Sequence, residues 1–91
     1  MDETELREQV REGQDALKLM DNAQFSMAVT AIKASLIETF EYTQFKDRDD
    51  REEIWRKLQS LNAITDQLQY VIDTGRMAEK TLLEKIKDIV S

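Results

Sequence analysis

Apolar residues recur along the first part of the chain at steps of three and four, the spacing of one helix face. The first stripe comprises Leu6, Val10, Gly13, Leu17 and Met20. It predicts a helix over about residues 3–20. Asp2 and Glu5 precede the stripe with the spacing of a capping box, so Asp2 is the expected N-cap.

The phase of this stripe slips by one residue after Asp21, which indicates a break or a kink in the helix. Asp21 and Gln24 again have the capping-box spacing, and they predict a second helix over about residues 22–43. Its apolar residues form two adjacent rows, Phe25, Val29, Ile32, Leu36 and Phe40 in one and Met27, Ala31, Ala34 and Ile37 in the other. An apolar arc this wide packs against more than one neighbour.

The stretch YTQFKDRDDREE, residues 42–53, is the one clear turn, and Asp49 or Asp50 is the expected start of the next helix. Apolar residues or glycine then stand seven apart at Ile54, Leu61, Leu68, Gly75, Leu82 and Ile89. The heptad passes through Gly75 in phase, so it predicts a single helix of roughly 40 residues over about 49–90. Gly75 costs that helix about 1 kcal/mol relative to alanine.

Two arrangements of these helices fit the pattern. In the favoured one, a helical hairpin, the two shorter helices lie antiparallel to the long one, and Ile32 faces Leu61. Leu17 then faces Gly75, where the missing side chain allows close backbone approach. In the alternative, the first helix folds back at its end to make a three-helix bundle with residues 49–71.

The predicted fold class is therefore all-α, with one helical domain over residues 1–91. Two packed helices rarely form an adequate core, and either arrangement leaves apolar surface uncovered. We therefore expect a homo-oligomer in which further copies complete a helical bundle.

Composition narrows the possible chemistry. The 91 residues include no cysteine, histidine or proline, and 35% of them are charged. Disulfides, thiol chemistry and the Glu-x-x-His motif of di-iron bundles are thus excluded. The carboxylates have the i, i+4 spacing of surface ion pairs, as in Glu52 with Arg56, Glu53 with Lys57 and Glu3 with Arg7. We expect a non-enzymatic protein with no catalytic, cofactor-binding or metal-binding residue.

The distribution of charge bears on partners and location. The net charge is −6, and residues 1–21 carry seven acidic and three basic side chains, whereas residues 76–91 are slightly basic. The N-terminus is acidic from its second residue, and no apolar run approaches the roughly 20 residues that cross a bilayer. These features predict a cytoplasmic protein with no membrane segment.

Aromatic residues cluster around the turn, where Phe40, Tyr42, Phe45 and Trp55 either close the end of the hairpin or anchor a partner. The candidate interface residues are Trp55, Tyr42, Phe45, Gly75, Leu82, Leu83 and Ile86. Nucleic acid is an alternative partner that is not favoured. The nearby cations Lys46, Arg48, Arg51, Arg56 and Lys57 are interleaved with five acidic residues, so their local charge is zero.

The segment DREEIWRKLQSLNAITDQLQYVIDTGRMAEKTLLEKI, residues 50–86, resembles small helical proteins encoded in the genomes of tailed phages and prophages. The residues that carry the resemblance are Arg51, Glu52, Trp55, Leu58, Leu61 and Leu68, followed by TGRMAEK at 74–80. The preceding FSMAVTAIKASLIETF, residues 25–40, suits the same pattern. The resemblance implies a phage origin, with a role in head assembly or DNA packaging.

Three functions are compatible with the sequence. The first is an oligomer-forming helical protein that acts by binding other proteins in phage assembly. The second is a DNA-packaging recognition subunit that resembles a small terminase. The third is a small phage protein that inhibits a host protein or captures a small ligand.

Overall fold

The computed structural model describes residues 1–90, which are almost entirely helical. Over this range the chain forms α1 (Glu3–Asp21), α2 (Ala23–Glu41) and α3 (Arg48–Val90). The helices expected over 3–20, 22–43 and 49–90 are confirmed to within one or two residues at each end. Gly75 lies within α3 and has no positive φ, so the helix runs through it as the heptad pattern predicts.

Side-chain caps fix the starts of α1 and α2. The backbone N–H of Glu5 donates to the Asp2 carboxylate at 2.8 Å, which confirms Asp2 as the first N-cap. Between the two helices a single residue, Asn22, is extended (φ −68°, ψ 125°), and its side-chain oxygen accepts from the Phe25 N–H at 2.9 Å. The expectation that Asp21 caps α2 is therefore wrong, because Asp21 is still the last helical residue of α1.

The turn between α2 and α3 is closed by local hydrogen bonds. The Gln44 N–H donates to the Asp47 carboxylate at 2.8 Å, and the Asp47 N–H donates to the Gln44 carbonyl at 2.8 Å. These two hydrogen bonds between Gln44 and Asp47 fix the turn, and α3 begins at the next residue, Arg48. Asp49 and Asp50 therefore lie in the first turn of α3 rather than at its cap, where they still complement the positive end of the helix dipole.

The helices pack in two compact units. Unit 1 pairs Met1–Met20 with the part of α3 from Gln67 onward, and unit 2 comprises Asp21–Asp66. The C-terminal part of α3 is thus the neighbour of α1, and its N-terminal part is the neighbour of α2. This pairing agrees with the predicted hairpin and not with a bundle in which α1 folds back onto residues 49–71. That residues 1–91 form one domain stays a prediction.

In unit 1 the two glycines of the chain meet at the contact between α1 and α3. A methyl carbon added at Gly75 would lie 2.9 Å from the Gly13 Cα and 2.9 Å from the Gln9 carbonyl oxygen. A methyl carbon added at Gly13 would lie 2.9 Å from the Gly75 Cα. Backbones this close leave no room for a side chain at either position, so the contact depends on both glycines.

This contact corrects the predicted register of unit 1. Gly75 lies against Gly13 rather than Leu17, a shift of four residues, or about one helical turn. The physical reason is that pairing the glycines brings two backbones together, whereas Leu17 would have held them apart. Each helix of this unit buries one large side chain and two small residues, which are Leu6, Gly13 and Ala16 of α1 and Ile72, Gly75 and Ala78 of α3.

Unit 2 packs larger side chains and buries fewer of them. Ile54 of α3 is buried, but no residue of α2 is. The least exposed residues of α2 are only half-buried and are Phe25, Val29, Leu36 and Phe40. The most apolar of the three helices therefore keeps much of its apolar surface exposed.

The glycine contact generates a first prediction. Gly75→Ala should lower the free energy of unfolding by about 1–3 kcal/mol, because the new methyl group overlaps backbone atoms that cannot rotate away. The sign is informative, since alanine is the better helix former by about 1 kcal/mol. Urea unfolding at fixed protein concentration measures the effect, with Gln59→Ala on the exposed surface of α3 as the control. A more stable Gly75→Ala variant would contradict the close contact.

The α1–α2 junction generates a second prediction. Asn22→Ala should lower the free energy of unfolding by about 1 kcal/mol, because it removes the side-chain acceptor for the Phe25 N–H. Asp21→Ala is the matched neighbour and should change it by less than about 0.5 kcal/mol. Urea unfolding compares the two variants. If the Asp21 variant is the less stable of the pair, Asp21 caps α2 after all.

Candidate protein-binding surfaces

Among residues 1–90 no polar or charged side chain is buried. Within the same range no group of three or more carboxylates is placed so that it could hold a metal ion. The features that distinguish this surface are instead exposed apolar side chains. Many of them lie at the turn between α2 and α3, on unit 2, and on the C-terminal part of α3, and Met1, Leu17 and Leu19 are exposed as well.

The aromatic residues at the turn do not close the hairpin end. Tyr42, Phe45 and Trp55 are all exposed, and only Phe40 is half-buried. Tyr42 is the C-cap of α2, so its side chain projects from the last turn of that helix. Phe45 and Trp55 line a shallow depression together with Arg48, Arg51 and Glu52. Of the two roles considered for these aromatics, partner contact is the one that their exposure supports.

Arg51 connects the turn to the helix contact of unit 2. Its guanidinium lies over the Phe40 ring, 4.4 Å from the ring centroid. A cation over an aromatic face at a half-exposed site stabilises the fold by about 0.5–1 kcal/mol. This contact holds the end of α2 against the start of α3. It also engages Arg51, one of the five cations near the turn, in a contact within the chain.

Two other cations of this region are paired within α3. Arg56 lies 3.6 Å from Glu52, and Lys57 lies 3.3 Å from Glu53. Both pairs have the predicted i, i+4 spacing and are exposed, so each contributes no more than about 0.5 kcal/mol. With these cations neutralised by adjacent carboxylates, the turn offers little net positive charge to a phosphate backbone.

One side of unit 2 carries an apolar groove between its two helices. Ile32 and Leu36 of α2 line it together with Leu61 and Ile64 of α3, and Ser60 also lines it. Ile32 is 51% exposed and Ile64 is 53% exposed, although both belong to the apolar stripes of their helices. We name these four apolar residues the unit 2 groove. Charged side chains of both signs flank it, namely Glu53, Arg56 and Lys57.

The sequence pattern missed the groove because it assigned Ile32 to the core as the partner of Leu61. Both residues do line the groove, so the predicted pairing agrees with the structure, but half of Ile32 remains in solvent. The two adjacent apolar rows of α2 indicated that α3 alone would leave apolar surface exposed, although the α2 residues of the groove, Ile32 and Leu36, both belong to the first row. A helix that is apolar over so wide an arc needs a second neighbour, and α3 provides only one.

The candidate interface residues in the C-terminal part of α3 fall into two groups, those exposed to a partner and one that is buried. Leu83 and Ile86 are exposed and Leu82 is half-buried, so these three can contribute to a contact surface. Gly75 is buried against Gly13 and is not accessible to a partner. Its role is to allow the close approach of α1 within unit 1.

Comparison with known proteins provides no further guide, since the chain matches no family model, no curated protein and no solved structure. The similarity of residues 50–86 to phage proteins therefore stays a prediction from the sequence. In the part of the chain that the structure describes, no helix has both the length and the apolar character needed to cross a membrane.

The exposure of the turn aromatics generates a third prediction, which compares two neighbours in α3. Trp55→Ala should change the free energy of unfolding by less than about 0.5 kcal/mol, because the exposed indole makes little contact within the chain. Ile54→Ala should lower it by about 2–5 kcal/mol, because Ile54 is buried between the helices of unit 2. Urea unfolding of dilute protein measures both. If the two variants lost equal amounts of unfolding free energy, Trp55 would be part of the core.

Proposed function

We propose that this chain is a non-enzymatic helical protein that acts through protein–protein contacts and self-associates as its working form. The observation that carries the proposal is the amount of surface that the single chain exposes. Its accessible surface is 7300 Å² for a mass of 10.7 kDa. A folded monomer of this mass exposes about 5,500 Å² by the general scaling of surface with mass.

The excess has the size of a stable interface. It amounts to about 1,800 Å² per chain, whereas each partner in a standard protein–protein interface buries about 800 Å². Obligate homodimers bury more, roughly 1,000–2,500 Å² per chain, and their interfaces are more apolar. A single copy therefore leaves uncovered an area that one such interface would bury.

The chemistry of the exposed residues supports the same proposal. Large apolar side chains exposed on unit 2 include Met27, Ile32 and Ile64, and those on the C-terminal part of α3 include Met77, Leu83 and Ile86. By contrast, the buried apolar residues of the whole described chain are Leu6, Ala16, Ile54, Ile72 and Ala78. Contiguous patches of exposed apolar side chains mark interaction surfaces in folded proteins.

The resemblance of residues 50–86 to small phage proteins suggests the assembly of a phage particle as the setting. In that setting, the exposed aromatics Tyr42, Phe45 and Trp55 supply a separate surface for another protein. Tryptophan and tyrosine are enriched among the residues that contribute most to binding. Nucleic acid is the less favoured partner, since the chain carries a net charge of −6 and two of the five cations near the turn, Arg56 and Lys57, are in ion pairs.

Self-association is tested by light scattering over a wide range of protein concentration, which is the fourth prediction. The mass should rise to at least twice 10.7 kDa, and the melting temperature should rise with concentration because association stabilises the folded chain. Added salt should leave the mass unchanged, since the contact is apolar. A mass that stays at that of one chain at every concentration would refute the homo-oligomer.

A further inference from the structure

We propose that the unit 2 groove is the surface on which a second copy of this chain docks, so that two α2–α3 hairpins form a four-helix bundle. The inference rests on the proposed self-association and adds to it the place where the copies meet. Ile32 and Ile64, which are half-exposed in the single chain, would become core residues of the bundle.

The geometry of the hairpin supports a bundle. In a four-helix bundle, each helix presents an apolar arc that is shared between a neighbour in its own hairpin and the helices of the other hairpin. Both helices of unit 2 have such an arc, and both arcs extend past the α2–α3 contact toward the same side. Ile32 and Leu36 extend the arc of α2, while Leu61 and Ile64 extend that of α3. Two helices thus supply half of a bundle core.

The composition of α2 supports the same surface. From Ala23 to Ile37 the helix carries one charged residue, Lys33, yet none of its residues is buried in the single chain. A helix with apolar or small residues around most of its circumference is normally enclosed by other elements. α3 contacts one side of it, and Ile32 on the groove side is 51% exposed, so an additional layer there reduces the exposure of α2.

A second copy fits this surface better than an unrelated protein. In a two-fold interface the same patch is used twice, so the patch must not repel itself. The charged residues at the groove are already paired within α3, Lys57 with Glu53 and Arg56 with Glu52, so the rim is close to neutral and two copies do not repel each other there. The excess surface of the whole chain, about 1,800 Å², lies within the roughly 1,000–2,500 Å² that each chain of an obligate homodimer buries. Each hairpin provides the two apolar arcs that the other hairpin needs.

The fifth prediction compares two isoleucines of α2 that differ in the side they face. Ile32→Lys places a charge in the groove and should raise the dissociation constant of self-association by about 100-fold or more. Ile37→Lys is the matched control, because Ile37 is 44% exposed, lies on the same helix and does not line the groove. Five residues separate the two positions, a rotation of about 140° around the helix. Ile37→Lys should therefore leave the dissociation constant within about threefold of the unmodified value.

Sedimentation equilibrium measures the dissociation constants, and circular dichroism of dilute protein reports whether each variant folds. Should Ile32→Lys fail to fold, Ile64→Lys on α3 tests the same groove from its other wall. An unmodified chain that stays monomeric overturns both this inference and the proposed self-association. If the unmodified chain associates and the groove variants associate equally well, only the groove is wrong. Equal weakening by Ile32→Lys and Ile37→Lys also overturns the groove.

Discussion

Each compact unit of this chain is made of only two helical segments, and two helices cannot enclose a core. A side chain at the contact between two cylinders is covered by the opposite helix but keeps its flanks toward water. The buried apolar residues are accordingly few, namely Leu6, Ala16, Ile54, Ile72 and Ala78. Folding of the single chain must therefore draw on close approach of the helices, on helix propensity and on caps, because burial of large side chains contributes comparatively little.

The two units respond to this constraint differently. Unit 1 uses small residues, and Gly13 against Gly75 lets the backbones of α1 and α3 touch, so the surrounding atoms make dense van der Waals contact. Unit 2 has no glycine, and isoleucine and leucine side chains of its two helices line a groove that stays open to solvent. In unit 1 the contact between the glycines is covered within one chain. In unit 2 the groove leaves apolar surface that another layer of helices can cover.

The sequence predicted the helices well because their signals are local. Heptad spacing, the capping residue Asp2 and the in-phase passage through Gly75 each depend on neighbouring residues alone. The register of α1 on α3 was predicted one turn away from the observed one, because two stripes with the same period match at several offsets. Only the three-dimensional fit of Gly13 against Gly75 selects among them. The exposure of Ile32 and Ile64 was equally hidden, since a stripe shows which face is apolar but not how much of that face a single neighbour covers.

The apolar surface of α2 links stability to association. Burial of the Ile32 and Ile64 side chains contributes about 25 cal/mol of stabilising free energy for each Å² of apolar surface removed from water. The contribution is the same whether the covering atoms belong to the same chain or to another copy. In the single chain about half of each side chain remains in solvent, so much of this free energy is still available. If association supplies it, the stability of unit 2 depends on protein concentration more strongly than that of unit 1, whose contact is already closed by its glycines. Raising the protein concentration should then slow amide hydrogen exchange more in unit 2 than in unit 1.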